Sequence, residues 1–285
     1  MEIALQSIQT LFDGLADAPA LPLPDDLAEI YGSFRFLPVA GKPRVVANFV
    51  SSLDGVVSLQ SPGKAGGGPI SGDDPMDRLV MALLRACADV VIEGAGTFRQ
   101  APGSLLLAED LMPLLSTSFR ELRARLKISE FPLRVIVTEH GDLDFSAPLF
   151  RRDDGRVLVL TRPAGLLRLH SSPFPSRVRV RSLHGDGRLG AGEILAALSL
   201  EGPANLVLLE GGPQLMASFV AERELDELFL TLAPQVSGRD GEHRRPGFVD
   251  GKAFTPSDLR WAHLLGIKRS ESHLFLRYAF PKDTW

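Results

Sequence analysis

The chain has 285 residues, 45% of them hydrophobic and 23% charged, with a formal net charge of -4. That length and apolar content suffice for a full core in one large α/β domain or two small ones and exclude a largely disordered chain. Interspersed charges leave no broad basic surface for nucleic acid, and a single cysteine, Cys87, rules out a disulfide framework or a multi-cysteine metal site. With no long apolar run and no basic-then-apolar leader, a soluble cytoplasmic protein without membrane contact is expected.

Residues 1–42 hold several prolines and a weak amphipathic pattern around residues 8–15, which predicts a loosely docked extension before a domain spanning 43–285. Residues 44–50 are β-branched and apolar, the composition of a buried strand, and they run into Ser51-Ser52-Leu53-Asp54-Gly55. Polar groups at the carboxyl end of a strand lie where open α/β sheets keep their ligands. Asp54 reads two ways, as a catalytic carboxylate or as one that holds the turn through backbone N–H groups. The glycine-rich stretch 61–69 is either a connector or a loop that moves over a site.

Ser71-Gly72-Asp73-Asp74 is a capping pattern. Met76, Leu79, Val80, Leu83, Leu84 and Cys87 follow at helical spacing. Arg78 and Arg85 share one face at the edge of that apolar stripe, where an arginine either snorkels to water or reaches a ligand. A strand at 89–92 leads into Glu93-Gly94-Ala95-Gly96-Thr97, a glycine- and hydroxyl-rich strand end that lacks the third glycine of a dinucleotide fingerprint and does not clearly open a helix. A helix is predicted over 116–128, then strands at 133–138 and 156–160, the latter ending in Thr161-Arg162-Pro163. A short helix at 190–200 precedes the buried strand Leu206-Val207-Leu208-Leu209. That strand opens into Glu210-Gly211-Gly212-Pro213, with a helix from Gln214 and Leu215 onward. First-turn N–H groups and missing Cβ atoms suit this junction to an anion, although a plain strand-to-helix turn has the same composition. Strand-forming segments at 228–233, 261–268 and 273–280 close the chain. The order predicts an α/β fold, a mixed sheet flanked by helices and finished by antiparallel strands.

Taken together, Ser52-Leu53-Asp54-Gly55, Leu84-Arg85-Ala86, Gly94-Ala95-Gly96-Thr97, Glu210-Gly211-Gly212-Pro213, Leu225-Asp226-Glu227-Leu228 and Ala233-Pro234 occur in the order seen in the riboflavin-biosynthesis reductase family. Over about residues 44–280 the chain resembles the C-terminal reductase domain of the deaminase-reductase, and Ala47 to Gly55 resembles its stand-alone actinobacterial branch. The resemblance implies a dihydrofolate-reductase-like fold, a homodimer, and an NADPH-dependent reductase of a ribosylamino-pyrimidine phosphate. It also implies cofactor contacts at Gly94, Ala95, Gly96 and Thr97, at Gly211, Gly212, Pro213, Gln214, Leu215 and on to Ser218, at Thr138 for the adenosine end, and at Ser51 for the nicotinamide side. Arg85 and Glu210 match substrate-facing positions. Thr161 and Arg162, by their place after a strand, are candidates for the adenosine end, with Arg162 reading a 2'-phosphate. Two departures stand out: the acidic segment that usually follows Gly-Ala-Gly-Thr is replaced by Phe98-Arg99-Gln100-Ala101-Pro102-Gly103, and Glu93 replaces an apolar or small residue. The zinc deaminase half is missing. Alternatives are a dihydrofolate or other pterin reductase, which would share fold and cofactor, and a non-catalytic NADPH-binding protein.

Overall fold

The computed structural model describes residues 7–36, 41–60, 66–100, 107–170 and 174–281. In chain order the elements are β1 (Gln9–Asp13), α1 (Asp25–Tyr31), β2 (Arg44–Ser51), α2 (Gly68–Ser71), α3 (Pro75–Cys87), β3 (Val90–Gly94), α4 (Ala95–Gln100), α5 (Ala108–Leu111), α6 (Ser116–Leu126) and β4 (Leu133–Thr138). They continue as β5 (Val157–Thr161), α7 (Pro163–Leu169), β6 (Val178–Ser182), α8 (Ala191–Ser199), β7 (Leu206–Leu209), α9 (Pro213–Ala221), β8 (Glu227–Leu232), β9 (His263–Ser270) and β10 (His273–Ala279).

Among the described residues, ten strands form one sheet in the order β1-β9-β10-β8-β2-β7-β3-β4-β5-β6. From β8 to β6 every neighbouring pair is parallel, and β10, β9 and β1 add antiparallel pairs at the other end. The central strands are buried along almost their whole length because both faces are covered, so alternate residues enter two cores. Val46, Val91, Ile136 and Leu208 pack with α1, α3, α5 and α6 on one face; Val45, Ile92, Val135 and Val207 pack with α8 and α9 on the other.

Helix α3 starts where its sequence says it should. The Asp74 carboxylate accepts the N–H groups of Met76 and Asp77, both at 2.9 Å, and Pro75 occupies the first turn, where no N–H is needed. At its other end the buried Arg123 guanidinium donates to the carbonyls of Arg85, Ala86 and Ala88 at 2.8–3.2 Å.

Several elements differ from expectation. The N-terminal segment is not loosely docked: β1 pairs with β9, Leu27 is fully buried, and Tyr31 and Phe34 join the core. A helix does open at Ala95, directly from β3. The elements α7 and β6, which the sequence reading passed over, extend the parallel sheet by one edge strand whose arginines alternate with valines. The segment 61–65 of the glycine-rich stretch and residues 101–106, where the family acid is replaced, lie outside the described residues.

Candidate active site

The carboxyl ends of β2, β7, β3 and β4 meet along one edge of the sheet, and a cleft with two lobes opens there. The lobes, cavities of about 170 and 380 Å³, share Gln60, Thr97, Gln100, Gly212 and Pro213. The larger alone falls within the roughly 300–1,000 Å³ usual for small-molecule sites.

The wall between them is backbone. A Cβ placed on Gly94 would lie 3.9 Å from the Gly212 Cα, and one on Gly211 would lie 3.1 Å from the Thr97 Cγ2, so the two glycine loops pack directly on each other. Gly212 is also the N-cap of α9, at φ 78°, a conformation that favours glycine; no side chain caps the first-turn N–H groups. Gly96 is exposed, and a Cβ there would meet no described residue within 4 Å. A cradle with these properties fits a pyrophosphate, whose oxygens need close approach to donors.

The larger lobe brings together Gly94, Ala95, Gly96, Thr97, Thr138, Gly212, Pro213, Gln214, Leu215 and Ser218, from three strand ends. Thr138 lines it, although its hydroxyl already accepts the Gly141 N–H at 3.0 Å. Sequence reasoning missed Arg99, Arg188 and Arg244, which give this lobe its cationic side, and His140 beside them.

In the smaller lobe, Glu210 extends the β7–β3 ladder by one bond, its N–H donating to the Ile92 carbonyl at 3.0 Å. Its carboxylate receives Arg85 Nε and Nη2, each 2.6 Å from Oε2, and both side chains are buried. Arg85 therefore neither snorkels nor faces a ligand as a spare cation; it holds Glu210. Among the described residues, no donor reaches the buried Glu210 Oε1 or the buried Asn48 Oδ1 in the same lobe. Burial pushes the Glu210 carboxyl upward and Arg85 opposes it. Asp77 lines this lobe too, and burial raises its pKa against the hydrogen bonds of Thr231 and Ser71. Among the described residues, the cation lining this lobe is Arg78, 45% exposed, with Asp73 4.0 Å away. Arg78 is one of the two arginines that the spacing of α3 set at the edge of its apolar stripe; Asn48 and Asp77 carry no motif that would have marked them.

Five sequence candidates fall outside the lining of both lobes: Arg85, behind Glu210, and four others. The Asp54 carboxylate accepts Ser52 Oγ at 2.7 Å and the N–H groups of Ser237 and Gly238 at 3.0 and 2.8 Å, so it ties two loops together. Those donors hold it well below the usual carboxylate range, backbone of Ser237 foremost. Ser51 is buried, its hydroxyl donating to the Ser52 carbonyl at 2.8 Å; Asn48, Phe49 and Val50 line the lobe instead. Thr161 is fully buried. Arg162 is buried as well, its guanidinium spent on Glu193 at 2.8 and 2.9 Å and on the carbonyls of His184, Gly187 and Arg188.

The RibD C-terminal domain model matches residues 43–267. The chain belongs to the RibD C-terminal domain family. No curated protein sequence matches it. Its fold is shared with a pyrimidine reductase-like protein of Corynebacterium diphtheriae (22% identity, 90% of this chain and 99% of that one, TM-score 0.67). A Thermotoga maritima diaminohydroxyphosphoribosylaminopyrimidine deaminase/5-amino-6-(5-phosphoribosylamino)uracil reductase is similar at 20% identity and TM-score 0.60, covering 84% of this chain and 57% of that one. A Saccharomyces cerevisiae riboflavin biosynthesis reductase is similar at 13% identity and TM-score 0.58, covering 86% and 93%. The mixed α/β fold expected of a RibD C-terminal domain, a sheet flanked by helices and finished by antiparallel strands, is the one observed.

Proposed function

We propose that this protein is an NADPH-dependent reductase of a ribosylamino-pyrimidine phosphate in riboflavin biosynthesis, yielding the ribitylamino product. The observation that carries the reading is the two-lobed cleft, with a bare-backbone cradle between a cationic lobe and one holding two buried acceptors that lack donors among the described residues. The cofactor, when bound, supplies a hydride. The cradle of Gly94, Gly96 and Gly212 orients its pyrophosphate. Asn48 and Glu210 accept N–H donors from the pyrimidine, since a buried acceptor left unpaired costs roughly 1–3 kcal/mol. Arg78 takes the phosphate in place of Arg85, and Asp77 holds the proton that accompanies the hydride, a role Asp54 is too remote to fill.

A second reading is favoured by the charge of the smaller lobe, where among the described lining residues Asp73, Asp74 and Asp77 accompany one arginine, Arg78, and Glu210 is already paired with Arg85. That balance suits an uncharged, donor-rich heterocycle such as a dihydropterin better than a phosphate dianion. A substrate screen decides: NADPH oxidation with the phosphorylated pyrimidine supports the first reading, oxidation with dihydrofolate the second, and tight binding without oxidation a non-catalytic protein. We further propose a cytoplasmic homodimer. Leu230, Ile267, Leu274 and Leu276 leave a partly exposed apolar face on β8, β9 and β10, and a monomer in sedimentation experiments would refute a dimer. No helix among the described residues is long and apolar enough to cross a membrane.

A further inference from the structure

We propose that Arg188 is the residue that selects NADPH over NADH by reading the 2'-phosphate, and that Arg162 acts through it as a positioning residue. The proposal rests on the reading of the larger lobe as the cofactor site.

Three arginines line that lobe. Arg244 is ion-paired with Asp250, and Arg99 donates to the Asp142 carbonyl at 3.2 Å with that residue's carboxylate 3.9 Å away. The Arg188 guanidinium has no hydrogen bond or ion pair among the described residues, so its donors are unspent at the lip of the lobe. Its position is nevertheless constrained. A Cβ on Gly251 would lie 2.8 and 3.1 Å from its Nη1 and Nη2, which places the guanidinium against the bare Cα of that glycine. Leu189, next in sequence, is almost fully buried and anchors the chain. On the other side, Arg162 donates to the Arg188 carbonyl at 2.7 Å, to Gly187 at 3.1 Å and to His184 at 2.6 Å, while Glu193 fixes Arg162 itself by two bonds. One buried arginine thus sets the backbone from which the exposed one projects. A planar fork with five donors matches a phosphate, and a preset backbone reduces the entropy lost on binding.

Glu139 lines the same lobe and is the group that opposes this assignment. A carboxylate there would accept a hydrogen bond from a ribose 2'-hydroxyl and favour NADH.

Titration of the full-length protein with NADPH and with NADH tests the proposal. The wild type should prefer NADPH, and Arg188→Ala should raise the NADPH dissociation constant about ten- to a hundred-fold while leaving NADH unchanged, the range expected for charge-assisted bonds to phosphate. Arg188→Lys should recover part of the preference. Arg162→Gln should reduce the NADPH-to-NADH ratio, and added to Arg188→Ala should change it no further, because the two act as one unit. A purely structural Arg162 would lower the melting temperature and leave the ratio intact. Equal losses for both cofactors in Arg188→Ala, an unchanged ratio, or a wild-type preference for NADH would overturn the assignment alone. A wild type that binds neither cofactor would overturn the cofactor reading and this assignment with it.

Discussion

At the scale of single residues, the chemistry of a side chain depends on whether its charge is already spent. Arg85 is spent on Glu210, so Arg85→Ala should not act as a selective substrate mutant. It leaves a buried carboxylate unpaired and should destabilise the protein by about 3–5 kcal/mol, read as a fall in the urea midpoint. Arg78→Ala, at an exposed site, should instead keep the fold and raise the Michaelis constant for the phosphorylated substrate only; an unchanged constant would point to the unphosphorylated heterocycle. Gly96→Ala separates folding from binding. It replaces glycine inside α4 at an open position, so stability should rise by roughly 0.5–1 kcal/mol, while the new methyl obstructs the cradle and weakens cofactor binding. A gain in stability with unchanged affinity would remove Gly96 from the site. Asp54 gives a pH test. Its folded pKa lies well below the unfolded one, so its contribution to stability is present above about pH 4 and is lost progressively as pH falls from there through the depressed folded pKa. Asp54→Asn should flatten that part of the acid limb of the melting curve and leave turnover at neutral pH close to wild type.

Among the elements, α3 matters most, because it delivers Asp77 and Arg78 to the cleft and holds Glu210 there through Arg85. Its start is local, set by Asp74 and Pro75. Its end is not: Arg123, on α6, takes three carbonyls that no residue of α3 satisfies. Replacing Arg123 by methionine fills similar space without donors, and should cost about 2–3 kcal/mol, the scale of lost hydrogen bonds to a charged group. Activity per folded molecule should fall as well, since the helix end that carries Arg85 loosens. A variant that is destabilised but fully active would show that α3 is held by its apolar face alone.

Across the whole molecule, one continuous sheet links the cleft to an antiparallel end built partly from the N-terminal segment. Leu27 and Phe34 belong to the same core as Leu79, Leu83 and Phe229, and Arg277 sits over the Phe229, Phe36 and Phe34 rings while its guanidinium meets Glu227. Leu27→Ala should therefore cost about 2–5 kcal/mol, the usual result of opening a core cavity, where a mutation in a loosely docked extension would cost almost nothing. Chemical denaturation reads the difference.

What the sequence determined by itself was whatever depends on neighbours along the chain. Apolar runs bounded by polar turns marked β2, β4, β5 and β7, Asp74 marked the start of α3, and the two glycine motifs marked the loops that form the cradle. Each follows from local spacing, hydrogen bonding or the absence of a Cβ. The tertiary structure alone decided which charged groups remain available, because their partners are distant in sequence: Glu210 lies 125 residues from Arg85, and Gly238 lies 184 from Asp54. By the same logic Arg162, well placed after a strand, turned inward to a loop more than twenty residues on, and Arg188, in no motif, was left facing the cleft. A charge buried beside an acceptor becomes scaffold, while one left at a lip stays free for a ligand, and only the folding of distant segments onto one another sorts them.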